Sequence, residues 1–309
     1  MLKKQFVDKN KGTISKEKRK DYETRLKQTY MKKDVKKSFY SQYNKGSGHE
    51  ISDGKFWAKI SSSRLAFDLY SWRAAKEKFI NFEFEKKLPG VWWKTNTAAG
   101  VPNMDVFFET DKEITFIESK FTEKPPLRIQ LPEAYWVRED IYHTTKGEIR
   151  KVPLVVRYHN ESKIADKFVN FYTKYLGKEI DKNEWFDFAQ EMKHLFGIVF
   201  YVLEKKDFND KKDICFYNIV YHFDEYESLD KSPQKIDKND YECSKSKLAK
   251  KFVSEAETMI NQIFKMKGLP NKFKYELRFV QSELKENGKQ KAFGSEKTVQ
   301  QIIKENYDL

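Results

Sequence analysis

Gly100-Val-Pro-Asn-Met-Asp105-Val-Phe-Phe-Glu109, then Thr110-Asp-Lys-Glu113, then Ile114-Thr-Phe-Ile-Glu118-Ser-Lys120 is the stretch from which the fold class is read. Met104 to Glu109 and Ile114 to Lys120 have the length and apolar content of strands, and the polar tetrapeptide between them is short enough for an antiparallel hairpin. Side chains alternate along a strand, so Glu118 and Lys120 fall on the face of Ile114 and Phe116, while Thr115, Ile117 and Ser119 take the other. Two charges thus continue an apolar face. Burying either alone is costly, so the pattern predicts a partnered group rather than a solvated edge. Asp105, at the start of the first strand, is expected beside the end of the second, with Pro102-Asn103 before it as a turn or edge entry. With 47 acidic and 60 basic residues in 309, acidic-x-basic triplets arise about nine times by chance, so the strand context and not the triplet carries the reading. Two interpretations follow: a metal site built from two carboxylates and a lysine, or a structural salt bridge at a hairpin end.

These residues resemble the PD-(D/E)XK, or restriction-endonuclease-like, nuclease superfamily, whose motif falls on Pro102-Asn103-Met104-Asp105 and Glu118-Ser119-Lys120. Ile60 to Ser71, Phe82-Glu83 and Ile117 to Glu123 are similar to a bacterial restriction-endonuclease-like family within it, and the resemblance spans Lys59 to Glu204. Here two residues separate the acidic residue from the proline it usually follows. The resemblance implies that Asp105, Glu118 and the main-chain carbonyl of Ser119 hold Mg²⁺ or Mn²⁺ through oxygen ligands. It implies that Lys120 orients the attacking water or stabilises charge on the phosphorane-like transition state. A further glutamate from the preceding helix or strand completes many such sites, and Glu83 is preferred to Glu85 and Glu77. A glutamine on the helix after the hairpin often orients the active groups. Gln190 of Gln190-x-x-x-His194 is the candidate, although a recombination-nuclease branch carries Tyr where this chain has His194.

The net charge is +13, and residues 1 to 40 hold 14 Lys or Arg against 5 Asp or Glu. A polyanion partner is the natural inference, and double-stranded DNA is the expected one. A lysine-rich, AT-biased composition accounts for part of the bulk charge but not for its concentration in one segment. Aromatic residues make up 16% of the chain, so the core should lean on Phe and Tyr. Cys215 and Cys243 have no zinc or disulfide spacing, no apolar run approaches a membrane span, and the first residues lack a signal-peptide core; a cytoplasmic protein is expected. His49, His143, His159, His194 and His222 have no zinc-ligand spacing. Trp92 and Trp93 suit core packing better than base stacking. Asp68 reads as a solvent-facing helical residue.

The expected fold is α/β: a restriction-endonuclease-like core, a mixed β-sheet flanked by helices, with a basic helical N-terminal arm. Residues 1–45 form that arm, which either docks on the body or reaches to DNA. Residues 46–309 form the nuclease-like domain with a C-terminal helix and strand, the boundary falling near Tyr43 to Gly48. Ser61 to Ser63 should cap a helix, Phe79 to Phe84 should form a strand, and Glu184 to Phe196 a helix leading into an apolar strand from Gly197 to Leu203. Leu127 to Arg150 reads as irregular to helical and Leu154 to Tyr158 as a short strand. Strands at Asp213 to Phe223 and Lys272 to Gln281 flank a helix at Ser246 to Lys267. The function expected is a metal-dependent DNA endonuclease of a restriction or phage-defence kind, for which a homodimer would suit double-strand cutting. The alternatives are a nuclease acting on RNA or on repair structures, and an inert nucleic-acid-binding protein with a nuclease-like core.

Overall fold

The computed structural model describes residues 12–32, 35–45, 49–76, 78–89, 102–120, 142–143, 149–150, 162–175, 177–178, 186–205, 212–220, 247–269 and 272–307. In chain order the elements are α1 (Lys16–Lys27), β1 (Thr29–Lys32), β2 (Val35–Ser38), α2 (Phe39–Lys45), α3 (Ser62–Tyr70), α4 (Arg73–Lys76), β3 (Asn81–Lys87), β4 (Asn103–Glu109) and β5 (Glu113–Lys120). They continue with β6 (Tyr142–His143), β7 (Ile149–Arg150), α5 (Ser162–Thr173), α6 (Phe188–Glu204), β8 (Asp213–Val220), α7 (Lys247–Met266), β9 (Phe273–Phe279), α8 (Val280–Asn287) and α9 (Val299–Tyr307).

The hairpin forms as its sequence implies. Val106 pairs with Ile117 and Glu109 with Ile114 in antiparallel register, and the Thr110 hydroxyl accepts hydrogen bonds from the Lys112 and Glu113 amides to close the turn. The sheet has the order β3-β4-β5-β8-β9. Its first three strands are antiparallel, whereas β8 and β9 join in parallel. Each parallel junction is crossed by a helix, α6 before β8 and α7 before β9, as parallel neighbours require. The fold is α/β, a five-stranded mixed sheet flanked by helices.

Both sheet faces are covered. Phe107, Ile114, Phe116, Ile214 and Phe216 pack beneath α5, α6 and α7. Phe82, Phe84, Val106, Phe108, Ile117 and Ile219 pack against α1, α2, α3 and α9 on the other face. Covering both sides makes the central strands near-continuously apolar: in β5 every residue from Ile114 onward is buried.

Three expectations change. Gly197 to Leu203 is not a strand; it is the second half of α6, which the Asp187 carboxylate caps by accepting from the Ala189 and Gln190 amides. Ile198, Val199, Phe200 and Val202 are all buried, and a helix half that is apolar nearly all round has lost the period that tells it from a buried strand. The N-terminal region is not an all-helical arm, because β1 and β2 pair as a hairpin, and Tyr22, Leu26, Phe39 and Tyr43 belong to the second core. Asp68 does not face solvent: it is fully buried, 3.4 Å from Arg25, and accepts hydrogen bonds from the Tyr22 and Tyr307 hydroxyls. Strand β3 runs three residues beyond Phe84, while Ser61 caps α3 as expected by accepting from the Arg64 amide. Residues 127–141, Trp92, Trp93, 154–158, 221–223 and Cys243 lie outside the described residues.

Candidate functional site

The β4–β5 ladder stops at Val106 and Ile117, and beyond that pair the two strands are bridged by side chains. Asp105 accepts a hydrogen bond from the Ser119 amide at 2.7 Å, so a carboxylate replaces the carbonyl that would continue the ladder. On the other side of β4 the β3 ladder also skips a pair: Phe84 faces Val106 and Lys86 faces Met104, but Glu85 and Asp105 between them are unmatched. Glu85 has φ +52°, a left-handed conformation uncommon for a residue with a Cβ and a recurrent mark of sites where the backbone is strained for a purpose.

Glu118 and Lys120 point to the α6 face, as their alternation with Ile114 and Phe116 implies. The Lys120 ammonium donates to Glu118 Oε1 at 2.7 Å and to Gln190 Oε1 at 2.6 Å. Gln190 Nε2 donates to the same Glu118 oxygen at 2.8 Å, so carboxylate, ammonium and amide close a triangle. Gln190 lies in the first turn of α6, the turn that Asp187 caps. Ser119 faces the opposite way, its hydroxyl donating to the Ser62 carbonyl of α3. Asp105, Glu118, Ser119, Lys120 and Gln190 are therefore brought together.

Glu83 is not part of that group. Its carboxylate accepts from Asn81 Nδ2 at 2.6 Å and pairs with Lys86 at 2.9 Å. The glutamate that acts on Asp105 together with Glu118 is Glu85. The register accounts for the exchange: Glu83 is paired with Phe107, whereas Glu85 stands between the Phe84–Val106 and Lys86–Met104 pairs, level with Asp105.

The electrostatics are those of crowded carboxyls. Burial, then Glu118 and Glu85, raise the Asp105 carboxyl well above its usual range, against the pull of Lys120 and the Ser119 amide. Burial and the charges of Glu50 and Glu118 raise Glu85 to about 8. Behind the triangle, Glu191 accepts from Asn218 at 2.6 Å and from the Tyr275 hydroxyl at 2.5 Å, and burial raises it to about 8. Between the two carboxylates lies His194, fully buried, 3.8 Å from Glu118 and 4.0 Å from Glu191; burial pushes its imidazole well below the ordinary value, so it is neutral. Glu85 is the alternative that the sequence ranks below Glu83, whereas Glu191 is not singled out there. Glu191 had one signal, an acidic residue amid the apolar face of a helix.

Among the described residues no three His, Cys, Asp or Glu side chains form a metal cage by themselves. Mg²⁺ does not require one, since it binds through one or two carboxylates and completes its octahedron with water and phosphate oxygens. Asp105 and Glu118 supply hard oxygen donors, and Glu118 and Glu85 both act on the buried Asp105 carboxyl. In chemical type these oxygen donors are the ones such an ion takes. In comparisons with family models, with curated proteins and with solved structures, nothing matches this chain.

Proposed function

We propose that this protein is a metal-dependent nuclease that hydrolyses DNA phosphodiesters internally. The observation that carries the reading is the convergence, at the split end of one hairpin, of Asp105 on the Ser119 amide with the Glu118–Lys120–Gln190 triangle. The antiparallel meander β3, β4, β5 after α3 and α4, followed by the β6–β7 pair, α5, α6 and the parallel strand β8, supports a restriction-endonuclease-like core. A charge of +13 favours a polyanionic substrate.

In this reading Asp105 and Glu118 hold Mg²⁺ or Mn²⁺, with the Ser119 carbonyl as a further ligand. The ion supplies polarisation of the phosphate and acidification of a water. Lys120 is held by two acceptors at hydrogen-bonding distance, so its ammonium is placed before substrate arrives and costs little reorganisation when negative charge develops on the phosphate. Gln190 keeps Glu118 and Lys120 in one geometry by bonding to both.

The test is incubation of the purified protein with supercoiled plasmid. Nicking or linearisation with Mg²⁺ or Mn²⁺, abolished by EDTA, is expected. Cleavage that persists undiminished in EDTA would overturn the mechanism, and no cleavage with either ion would overturn the activity.

A further inference from the structure

Lys193 lies on the same face of α6 as Gln190. It is half-buried, and among the described residues no carboxylate pairs with it. Its electrostatic neighbours are Glu118, Lys120, Asp187 and Glu191, and burial lowers its ammonium from the usual lysine value. A long side chain that can reach water ordinarily leaves a desolvated position unless something there holds it.

Helix geometry gives the direction in which it points. At 100° per residue, Glu191 lies 100° to one side of Gln190 and Lys193 lies 60° to the other. Glu191 meets Asn218 of β8 and Tyr275 of β9. Gly197, 20° from Gln190 on the Lys193 side, sits where an added Cβ would be 3.0 Å from Leu88 and Pro102, next to the ends of β3 and β4. Lys193 therefore stands on the flank of the site nearer β3 and β4, the Asp105 side, while Lys120 rises from β5.

We propose that Lys193 contacts a backbone phosphate of the nucleic acid, so that the phosphodiester chain runs across the site between Lys193 and Lys120. The assignment rests on the nuclease reading for its ligand and on the unpaired ammonium for its position. Lys193 is a binding and positioning residue: it carries no proton in the reaction, and its charge is compensated by the substrate.

The experiment compares wild type, Lys193→Met and Lys193→Arg. A duplex oligonucleotide is titrated in EDTA over a range of KCl concentrations, plasmid is cleaved with Mg²⁺, and melting temperature is recorded. Lys193→Met should bind several-fold more weakly at low salt, with a log affinity against log salt slope shallower by about one phosphate contact, ~0.9. Its melting temperature should be unchanged or higher, because a desolvated unpaired charge is removed. Lys193→Arg should restore the slope. Lys193→Met with wild-type affinity and slope, or with a lowered melting temperature and no restoration by Arg, overturns the proposal and leaves the nuclease reading intact. The expected slopes in a wild type that does not cleave would sustain the phosphate contact and overturn the nuclease reading, and a wild type that neither binds nor cleaves DNA overturns both.

Discussion

Asp105 separates the two meanings of the charged hairpin end. If the group were a structural ion pair, removal of one charge would strand another and cost on the order of 3–5 kcal/mol. The crowding around Asp105, where burial, Glu118 and Glu85 all oppose ionisation, implies the opposite. Asp105→Asn should keep or raise the melting temperature in EDTA and abolish cleavage, while DNA affinity survives; a large drop in melting temperature would favour the structural pair. The same crowding sets a pH dependence. Glu85 titrates at about 8 in the folded protein against 4.5 for the ordinary group, so over that interval the native state binds more protons than the unfolded chain. Stability contributed by the protonated form is then present at low pH and lost as pH rises through the interval. Thermal melts in EDTA should fall from pH 5 to pH 8; Mg²⁺ should reduce the fall, and Glu85→Gln should flatten it and raise the melting temperature at pH 8 by about 2 °C or more. A flat profile in the wild type would count against the crowded-carboxyl account.

Helix α6 carries Gln190, Glu191, Lys193 and His194 into the site, and Gly197 sets how closely it lies on the sheet. An Ala there gains up to about 1 kcal/mol of helix propensity. Its Cβ, however, would press on Leu88 Cβ and Pro102 Cγ at 3.0 Å, atoms close to the backbone that yield little. Gly197→Ala should therefore lower stability by about 1 kcal/mol net, as overpacking does. It should also slow cleavage by lifting Gln190 off Glu118 and Lys120. Measured stability equal to or above wild type would show that the α6–β3 contact is looser than described. The helix itself illustrates a limit of periodicity: the sequence starts it at Glu184, whereas Asp187 caps it so that it begins at Phe188, and its apolar second half was not separable from a strand without knowing that α5, α7 and the sheet enclose it.

At the scale of the whole molecule, the N-terminal helix, the helix beneath the hairpin and the C-terminal helix are tied by one buried polar cluster. Asp68 of α3 takes Arg25 of α1 and the hydroxyls of Tyr22 and Tyr307. The Arg64 guanidinium donates to the carbonyls of Phe56, Ala58 and Lys59. Asp68→Ala should destabilise the protein by about 3–5 kcal/mol by stranding Arg25 in a dry site, which denaturant unfolding would register as a lower midpoint at unchanged slope. A change below about 1 kcal/mol would mean that the cluster is solvated. Among the described residues no helix is long and apolar enough to cross a membrane.

The sequence by itself determined the hairpin, its alternation and the placement of Glu118 and Lys120 on one face, because the strand period is a local property of the backbone; Gln190 entered only through the resemblance, and its contact with them is tertiary. It also placed strands at β8 and β9 with a helix between them, while their parallel pairing beside β5 is visible only in the assembled sheet. Tertiary structure alone decided which glutamate joins Asp105, because the register in which β3 meets β4 sets Glu83 against Phe107 and Glu85 level with Asp105. It decided that Asp68 is buried and that Tyr22, Leu26, Phe39 and Tyr43 belong to the core, because an exposed-looking charge becomes an internal one only when partners more than forty residues away arrive to compensate it.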